Sequence, residues 1–273
     1  MILFPNAKIN LGLHVLNRRP DGFHDIETLM FPVAGLCDAV EVIRSAEPGA
    51  TFSASGLVVD CTSEKNLCVK ACELLRREFP KIGGMHIHLH KIIPFGAGLG
   101  GGSADAVAVL RGLNALFHLA LSDRRLEVLA AELGSDTVFF VRNVPAVATG
   151  RGEFLESFPV DLQKYWLLIV KPPVGVSTAE AYRGVIPGPP AEPLRKTLGR
   201  DPSEWQKTLF NDFEPSVFKK YPALADVKKS LYEMGALYAS MSGSGSALFG
   251  LFREKPDPGN RFRNSCVFTS GIG

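Results

Sequence analysis

The sequence predicts an α+β fold in two domains, residues 1–157 and 158–273. Strand-like and helix-like segments alternate along the 273 residues, but without the strict strand-helix-strand repeat of a doubly wound sheet. The length exceeds that of most single hydrophobic cores. A turn-rich patch at 149–153 (Thr-Gly-Arg-Gly-Glu) precedes the expected boundary near Ser157.

Three stretches of the first half have strand character. From residue 7 to 15, apolar residues alternate with polar ones, so this strand is expected to be half-buried, with Lys8 and Asn10 on its polar face. Further strands are predicted over 39–44 and 85–92.

Helices are predicted on either side of the third strand. Apolar residues at helical spacing indicate a helix over 66–79. We expect Ser103 to cap a helix that runs to about Leu119. Ser122 is expected to cap the next helix, which Gly134 ends.

The second half begins with a buried strand, predicted over 166–170. An amphipathic helix over 222–234 ends before Gly235, and 236–252 has the pattern strand, glycine turn, strand. For the last segment, 264–273, pairing with the N-terminal half is an alternative to a place in the second half.

The most informative segment is a glycine-rich loop between a strand and a helix. Glycine permits positive φ and close approach of the backbone to a ligand, and the following helix directs unpaired N–H groups at the loop. The loop is therefore expected to bind phosphate groups. Its residues are Pro94, Phe95, Gly96, Ala97, Gly98, Leu99, Gly100, Gly101, Gly102, Ser103 and Ala104.

Two other glycine-rich loops fit this segment less well. A Walker A loop needs a lysine before its Ser or Thr, and Gly102 occupies that position. Gly96, Gly98 and Gly101 satisfy the dinucleotide pattern, with Asp123 at a suitable distance downstream. However, the strand before the loop alternates instead of being continuously apolar, and Asp123 opens a helix.

Three motifs together resemble those of the GHMP kinases. They are 5–13 (Pro-Asn-Ala-Lys-Ile-Asn-Leu-Gly-Leu), the loop from Pro94, and 241–247 (Met-Ser-Gly-Ser-Gly-Ser-Ala). The resemblance covers essentially the whole chain. It implies a ribosomal-protein-S5-like ATP-binding N-terminal domain and a C-terminal α/β sandwich. The third motif is expected to lie behind the loop, although a plain strand turn remains an alternative.

The resemblance also implies a catalytic pair and its cofactors. Residues 133–140 (Leu-Gly-Ser-Asp-Thr-Val-Phe-Phe) resemble the stretch that carries the family's aspartate, so Asp136 is expected to be the general base. Lys8 is expected to keep that carboxylate ionised and to stabilise the transferred phosphoryl group. ATP and Mg²⁺ are the expected cofactors. Without the resemblance, Asp136 would be a helix cap or surface residue and Lys8 a solvated side chain.

A further stretch resembles the acceptor site of one GHMP branch. Residues 19–24 (Arg-Pro-Asp-Gly-Phe-His), with Tyr182, imply two aromatic rings around a cytosine and a histidine at its edge. The family commonly has Tyr where Phe23 stands and Phe where Tyr182 stands, so Phe23 lacks the hydroxyl. Asn10 and Thr178 are expected to hold the erythritol portion. The alternative for both aromatic residues is a place in the core.

The implied activity is phosphorylation of the 2-hydroxyl of 4-(cytidine 5'-diphospho)-2-C-methyl-D-erythritol in the non-mevalonate isoprenoid pathway. A GHMP kinase for mevalonate or homoserine is one alternative, and a ligand sensor without turnover is another. His86, His88 and His90 share one strand face, a spacing that can chelate zinc, but a polar outer face of the strand is the favoured explanation, and no resident metal site is expected.

Composition points to a small-molecule partner. With 30 basic and 28 acidic residues, the chain has no bulk charge that would favour nucleic acid or a membrane surface. Five cysteines without a C-x-x-C motif, and no signal peptide or spanning segment, predict a reducing cytoplasm. We expect a monomer or a weak homodimer.

Overall fold

The computed structural model describes residues 1–59 and 65–272. The chain divides into two compact units that interleave along the sequence. The first contains residues 1–7, 34–95 and 100–144; the second contains 8–33, 96–99 and 145–273. Helices and strands occur in both, which confirms the α+β class. The domain boundary after residue 157 stays a prediction, because packing units need not coincide with sequence domains.

Strands and helices follow one another in small groups along the chain. The strands are β1 (Ile2–Leu3), β2 (Asn6–Arg18), β3 (His24–Cys37), β4 (Ala39–Ser45), β5 (Ala50–Gly56), β6 (Gly84–Lys91), β7 (Ala146–Thr149), β8 (Phe154–Ser157), β9 (Trp166–Lys171), β10 (Tyr238–Met241), β11 (Leu248–Phe252) and β12 (Cys266–Gly271). The helices are α1 (Leu67–Glu78), α2 (Gly101–Leu116), α3 (Asp123–Leu133), α4 (Thr137–Arg142), α5 (Thr178–Gly184), α6 (Leu194–Leu198), α7 (Glu214–Lys220) and α8 (Pro222–Glu233), and Pro202–Lys207 forms a 3-10 helix.

The first unit is built on a four-stranded sheet with the order β1-β4-β6-β5. Its inner face carries buried aliphatic residues such as Val42 and Ile87, and α2 packs on β4. Gly112 allows this close approach, since a Cβ there would lie 3.1 Å from Leu3 and 3.4 Å from Val42. α1 and α4 then pack on α2, so the helix that follows the glycine-rich loop lies in the middle of the unit.

The second unit contains two sheets, with the orders β2-β3-β7-β8 and β10-β11-β9-β12. β12 pairs antiparallel with β9, so the C-terminal segment does not return to the N-terminal half. α8 packs on β10 and β11, and Leu224 and Leu231 belong to the buried core of this unit. The predicted strand, glycine turn and strand over 236–252 is confirmed.

The helix caps show which local sequence signals correctly predicted the ends of helices. The Ser122 hydroxyl accepts a hydrogen bond from the Arg125 N–H at 3.3 Å, and Gly134 follows the last residue of α3, as predicted. The expectation that Ser103 caps α2 is wrong. Gly100, with φ 71°, is the N-cap, and Ser103 lies inside the first turn. Glycine reaches this left-handed conformation without the strain that a Cβ would cause.

The expectation of a half-buried β2 is also wrong. Every residue from Asn6 to Val15 is buried. Within the second unit the free edge of β2 is covered by residues 210–212: Leu13 N–H donates to the Phe210 carbonyl, and Asp212 N–H donates to the Leu13 carbonyl, both at 2.9 Å. This cover comes from nearly 200 positions away in sequence, so local alternation could not indicate it.

β3 has no counterpart among the predicted strands. It is 14 residues long but contains Pro32, Gly35 and a continuous apolar run at Leu29–Phe31, and none of these has the alternation of a half-exposed strand.

No helix of the described residues is both long and apolar enough to cross a membrane. Cys68 and Cys72 are both buried, while Cys61 lies outside the described residues.

Candidate active site

The glycine-rich loop has the geometry of an anion cradle. Gly96, Gly98 and Gly100 have φ of 61°, 75° and 71°, which allow successive tight bends. A Cβ at Gly96 would meet nothing within 4 Å, and one at Gly102 would meet only Leu67, at 3.8 Å. These two positions therefore face open space that side chains would fill. The first turn of α2 directs its N–H groups towards the loop, an arrangement that favours an anion such as a phosphate group.

The middle of the loop is held from behind by the first and third motifs, all within the second unit. Lys8 N–H donates to the Leu99 carbonyl at 2.9 Å, and Ala247 N–H donates to the Ala97 carbonyl at 3.0 Å. The Ser242 hydroxyl donates to the Gly98 carbonyl at 2.9 Å. A Cβ on Gly98 would lie 2.0 Å from the Ser242 carbonyl oxygen, so only glycine fits there. The third motif does lie behind the loop.

Lys8 and Asn10 begin a buried polar network on β2. The Lys8 ammonium donates to the Asn10 amide oxygen at 2.6 Å. The Asn10 amide nitrogen donates to the Thr28 hydroxyl at 3.1 Å, and that hydroxyl donates to the Gly12 carbonyl. Both Lys8 and Asn10 are 2% exposed, so hydrogen bonds replace the water that a half-buried strand would supply. Sequence reasoning missed Thr28, because β3 itself was not predicted.

Asp136 lies in the first unit, at the residue that precedes α4. Its side chain makes no capping hydrogen bond to this helix, so the helix-cap interpretation does not account for it. The carboxylate is half-buried, and buried Thr137 and Val138 follow it directly. Its assignment as the general base stays a prediction.

Two predicted acceptor residues, His24 and Tyr182, form an aromatic cluster with Phe213 in the second unit, and Phe23 directly precedes His24. The rings of His24 and Tyr182 stack with centroids 4.8 Å apart and 21° between planes, and Tyr182 meets Phe213 edge-on. Phe23 is 55% exposed, with the Arg151 guanidinium 5.0 Å from its ring centroid, so it is not a core residue. Burial, and the nearby Arg18 charge, lower the pKa of His24. A neutral imidazole keeps one donor and one acceptor for a base edge.

Thr178 and the segment 211–214 complete the second-unit part. The Thr178 hydroxyl lies 3.2 Å from that of Ser244, which places Thr178 against the third motif. Asn211 donates to the Met241 and Gly243 carbonyls, both at 2.8 Å, and Glu214 accepts from Met241 N–H at 2.8 Å. The 211–214 segment therefore holds the third motif in place.

The three histidines of β6 are used in hydrogen bonding across to β5. Register pairs His86, His88 and His90 with Thr51, Ser53 and Ser55, and the five ring-to-hydroxyl distances run from 2.8 to 3.0 Å. This ladder supplies the polar outer face. Among residues 1–59 and 65–272, no group of three His, Cys, Asp or Glu side chains is arranged to hold a metal ion.

A groove of about 760 Å³ lies elsewhere in the first unit, along the C-terminal half of α1. Lys70, Arg76, Arg77 and Glu132 are among its lining residues, and none of the predicted site residues lines it. Its mixed, exposed charges are typical of a solvated surface, so we attach no function to it.

Comparison with known proteins places this chemistry in a class. The model of the GHMP kinases N terminal domain matches residues 66–150, and that of the GHMP kinases C terminal domain matches 191–265. A homoserine kinase structure from Cytophaga hutchinsonii is 21% identical, with 97% of this chain and 94% of that chain covered and a TM-score of 0.69, which supports the fold alone. The chain is a GHMP kinase with the two-domain α+β fold of that class.

Within this class, relatives of one kind match nearly the whole chain. A relative from Parabacteroides distasonis named 4-diphosphocytidyl-2-C-methyl-D-erythritol kinase is 47% identical over 269 residues, 98% of this chain and 96% of the relative. One from Bacteroides thetaiotaomicron with the same name is 48% identical over 93% of each chain. A crystal structure of such a kinase covers both chains completely, with 34% identity and a TM-score of 0.82. This chain belongs to the 4-diphosphocytidyl-2-C-methyl-D-erythritol kinase family.

Proposed function

We propose that the chain transfers the γ-phosphoryl group of ATP to the 2-hydroxyl of 4-(cytidine 5'-diphospho)-2-C-methyl-D-erythritol, a step of the non-mevalonate isoprenoid pathway. The observation that carries this proposal is family membership over nearly the whole chain. The glycine-rich loop and the stacked His24 and Tyr182 rings supply the two kinds of surface that this pair of substrates needs.

The phosphate end is assigned to residues 94–104. In this proposal the loop backbone and the first turn of α2 orient the triphosphate, so that the terminal phosphorus is in line with the acceptor hydroxyl. Mg²⁺, when bound, would neutralise charge on the phosphates. A site formed mainly by phosphates needs only one or two protein oxygens.

Proton and charge handling are assigned to two side chains. Asp136 would accept the proton of the 2-hydroxyl as its oxygen attacks phosphorus. Lys8 would stabilise the negative charge that develops on the transferred group, and its bond to Asn10 fixes its direction.

Acceptor selection is assigned to the aromatic cluster and two polar residues. Phe23 and Tyr182 would stack on the cytosine, and His24 would hydrogen-bond its edge. Asn10 and Thr178 would contact the erythritol portion. We further propose a cytoplasmic enzyme, monomeric or a weak homodimer, that does not act on nucleic acid.

The test is ADP release from Mg-ATP, measured with three acceptors in turn and with none as the control. The acceptors are 4-(cytidine 5'-diphospho)-2-C-methyl-D-erythritol, mevalonate and homoserine. Release with the cytidylyl acceptor alone is the expected result. Release with another acceptor would contradict the acceptor assignment but would not affect the assignment of residues 94–104 to the phosphates. No release with any of them would favour a sensor.

A further inference from the structure

Three charged side chains are buried beneath the start of α2, and the mechanism above does not use them. Lys91, the last residue of β6, is 2% exposed, Asp38 is fully buried and Asp105 on α2 is 1% exposed. The Lys91 ammonium donates to a carboxylate oxygen of Asp38 and, at 2.8 Å, to one of Asp105. All three belong to the first unit.

These side chains join the two ends of the glycine-rich loop. Lys91 lies just before the loop, and Asp105 lies in α2 just after it. The second oxygen of Asp38 accepts the backbone N–H groups of Ile92 and Ile93, at 2.6 and 2.8 Å. One ammonium and one carboxylate thus fix the chain where it enters the loop, and Asp105 fixes it where it leaves.

Gly101 shows how closely the loop exit is packed on the lysine. A Cβ at this position would lie 2.8 Å from Lys91 Nζ and 2.9 Å from the Ile93 side chain. Gly101 and Asp105 are four residues apart in α2 and so face the same side of the helix. The Lys91 ammonium fills the space below the first helical turn. A residue without a Cβ is therefore needed at position 101.

The cluster does not serve as a phosphate ligand. Both carboxylates face Lys91, so its charge is compensated within the protein. Burial raises the pKa of Asp105 to about 8, an effect that the Lys91 charge only partly offsets. With Asp105 protonated, one ammonium and one carboxylate remain, and their charges cancel. What the cluster supplies is a fixed distance between the two loop ends.

We propose that Asp38, Lys91 and Asp105 form a loop clamp, a set of positioning residues that holds the glycine-rich loop in the conformation that binds the triphosphate. The proposal rests on the proposed function, since it assumes that this loop is the nucleotide site. The loop must hold several closely spaced positive-φ residues, and such a segment keeps one conformation only where its surroundings fix its ends.

Asp105→Ala tests the clamp without leaving an unpaired charge, because Lys91 keeps Asp38 as its partner. We expect the Kd of a non-hydrolysable Mg-ATP analogue, measured by calorimetry, to rise at least tenfold. The Kd of CDP, which probes the cytidine end, should change less than twofold. Amide hydrogen exchange across 94–104 should accelerate at least tenfold.

Two variants serve as controls. Asp105→Asn keeps the size and the acceptor oxygen, so it should restore the nucleotide Kd and the exchange protection to within twofold or threefold of the unaltered protein. Asp123→Ala removes an exposed carboxylate of the same unit, and should change neither quantity.

The clamp is overturned if Asp105→Ala keeps its nucleotide Kd and loop protection. It is equally overturned if Asp105→Asn loses as much as Asp105→Ala, or if nucleotide and CDP affinities weaken alike. Should the unaltered protein bind no ATP analogue, the nucleotide assignment fails, and hydrogen exchange in the loop still decides whether the three side chains hold it.

Discussion

The glycine-rich loop and the aromatic cluster are stabilised in different ways. The middle of the loop is held by backbone and hydroxyl donors of Lys8, Ser242 and Ala247, all buried. The aromatic cluster instead leaves Phe23 more than half exposed, with one ring face under Arg151. The loop is thus organised by the protein itself, whereas the Phe23 ring stays largely open to solvent. Substitutions at the two places should have separable effects.

The largest effect is expected from Asp136→Asn. This substitution alters neither the glycine-rich loop nor the aromatic cluster, so it serves as the reference for a loss of turnover without a loss of binding. Removing a general base should lower kcat by about 10²- to 10⁴-fold, with the KM values for ATP and acceptor little changed. Steady-state kinetics with both substrates varied measures this. Asp123→Asn is the matched control at an exposed acid. Near-normal kcat in Asp136→Asn would show that another group takes the proton.

Lys91→Met should have the next largest effect, on stability. It leaves the buried Asp38 carboxylate without its cation and Asp105 without its hydrogen-bond donor, and breaking a buried pair in this way costs about 3–5 kcal/mol of unfolding free energy. Urea unfolding followed by circular dichroism provides the measurement. Lys70→Met, at an exposed position of α1, should cost less than about 0.5 kcal/mol. Equal losses in the two variants would contradict the importance of the buried cluster.

The raised pKa of Asp105 predicts a pH dependence of stability. With a pKa of about 8 in the folded protein against 3.8 ordinarily, the folded state binds one more proton in this window. The free energy of unfolding should therefore fall as pH rises, by about 1.4 kcal/mol per pH unit, or roughly 2–3 kcal/mol between pH 5.5 and 7.5.

Asp105→Asn does not titrate and isolates this effect from the histidines and other groups. The difference in unfolding free energy between Asp105→Asn and the unaltered protein should grow in favour of the variant as pH rises. A constant difference from pH 5.5 to 7.5 would mean that Asp105 is already ionised across the range.

Phe23→Ala should give the smallest effect and test the aromatic side alone. Losing one stacking ring should cost about 1–3 kcal/mol of acceptor binding, which appears as a higher acceptor KM with the ATP KM unchanged. Because Phe23 is exposed, stability should change by less than about 0.5 kcal/mol. Phe23→Tyr restores the ring and should behave as the unaltered protein. A higher ATP KM in Phe23→Ala would break the separation of the two regions.

Short-range signals predicted much of this architecture. Periodicity located β4, β6, α1 and α8 within one or two residues and found β2, and the Ser122 and Gly134 signals marked both ends of α3. The glycine-rich loop was evident because a phosphate cradle needs residues of one type at adjacent positions. The assigned roles of Lys8 and Asp136 came from the resemblance, since single polar residues carry no such signal.

Contacts across long sequence separations were not predictable in the same way. The loop clamp joins Asp38 to residues more than fifty positions away, and the cover over β2 comes from residues 210–212. In the sequence, Lys91 falls within the strand predicted over 85–92 and Asp105 within the first turn of the helix predicted after Ser103, and neither position carries a signal of burial. Only the packing of α2 on the sheet of the first unit brings them together in a place without water.

The sequence by itself determined the class of fold, the glycine-rich loop and the family, because each depends on residue types at fixed local spacing. The tertiary structure decided which polar residues are buried, what replaces their water, and how the loop is held. Those outcomes depend on desolvation and hydrogen bonding between distant segments, and these energies exist only once the chain has brought the segments into contact.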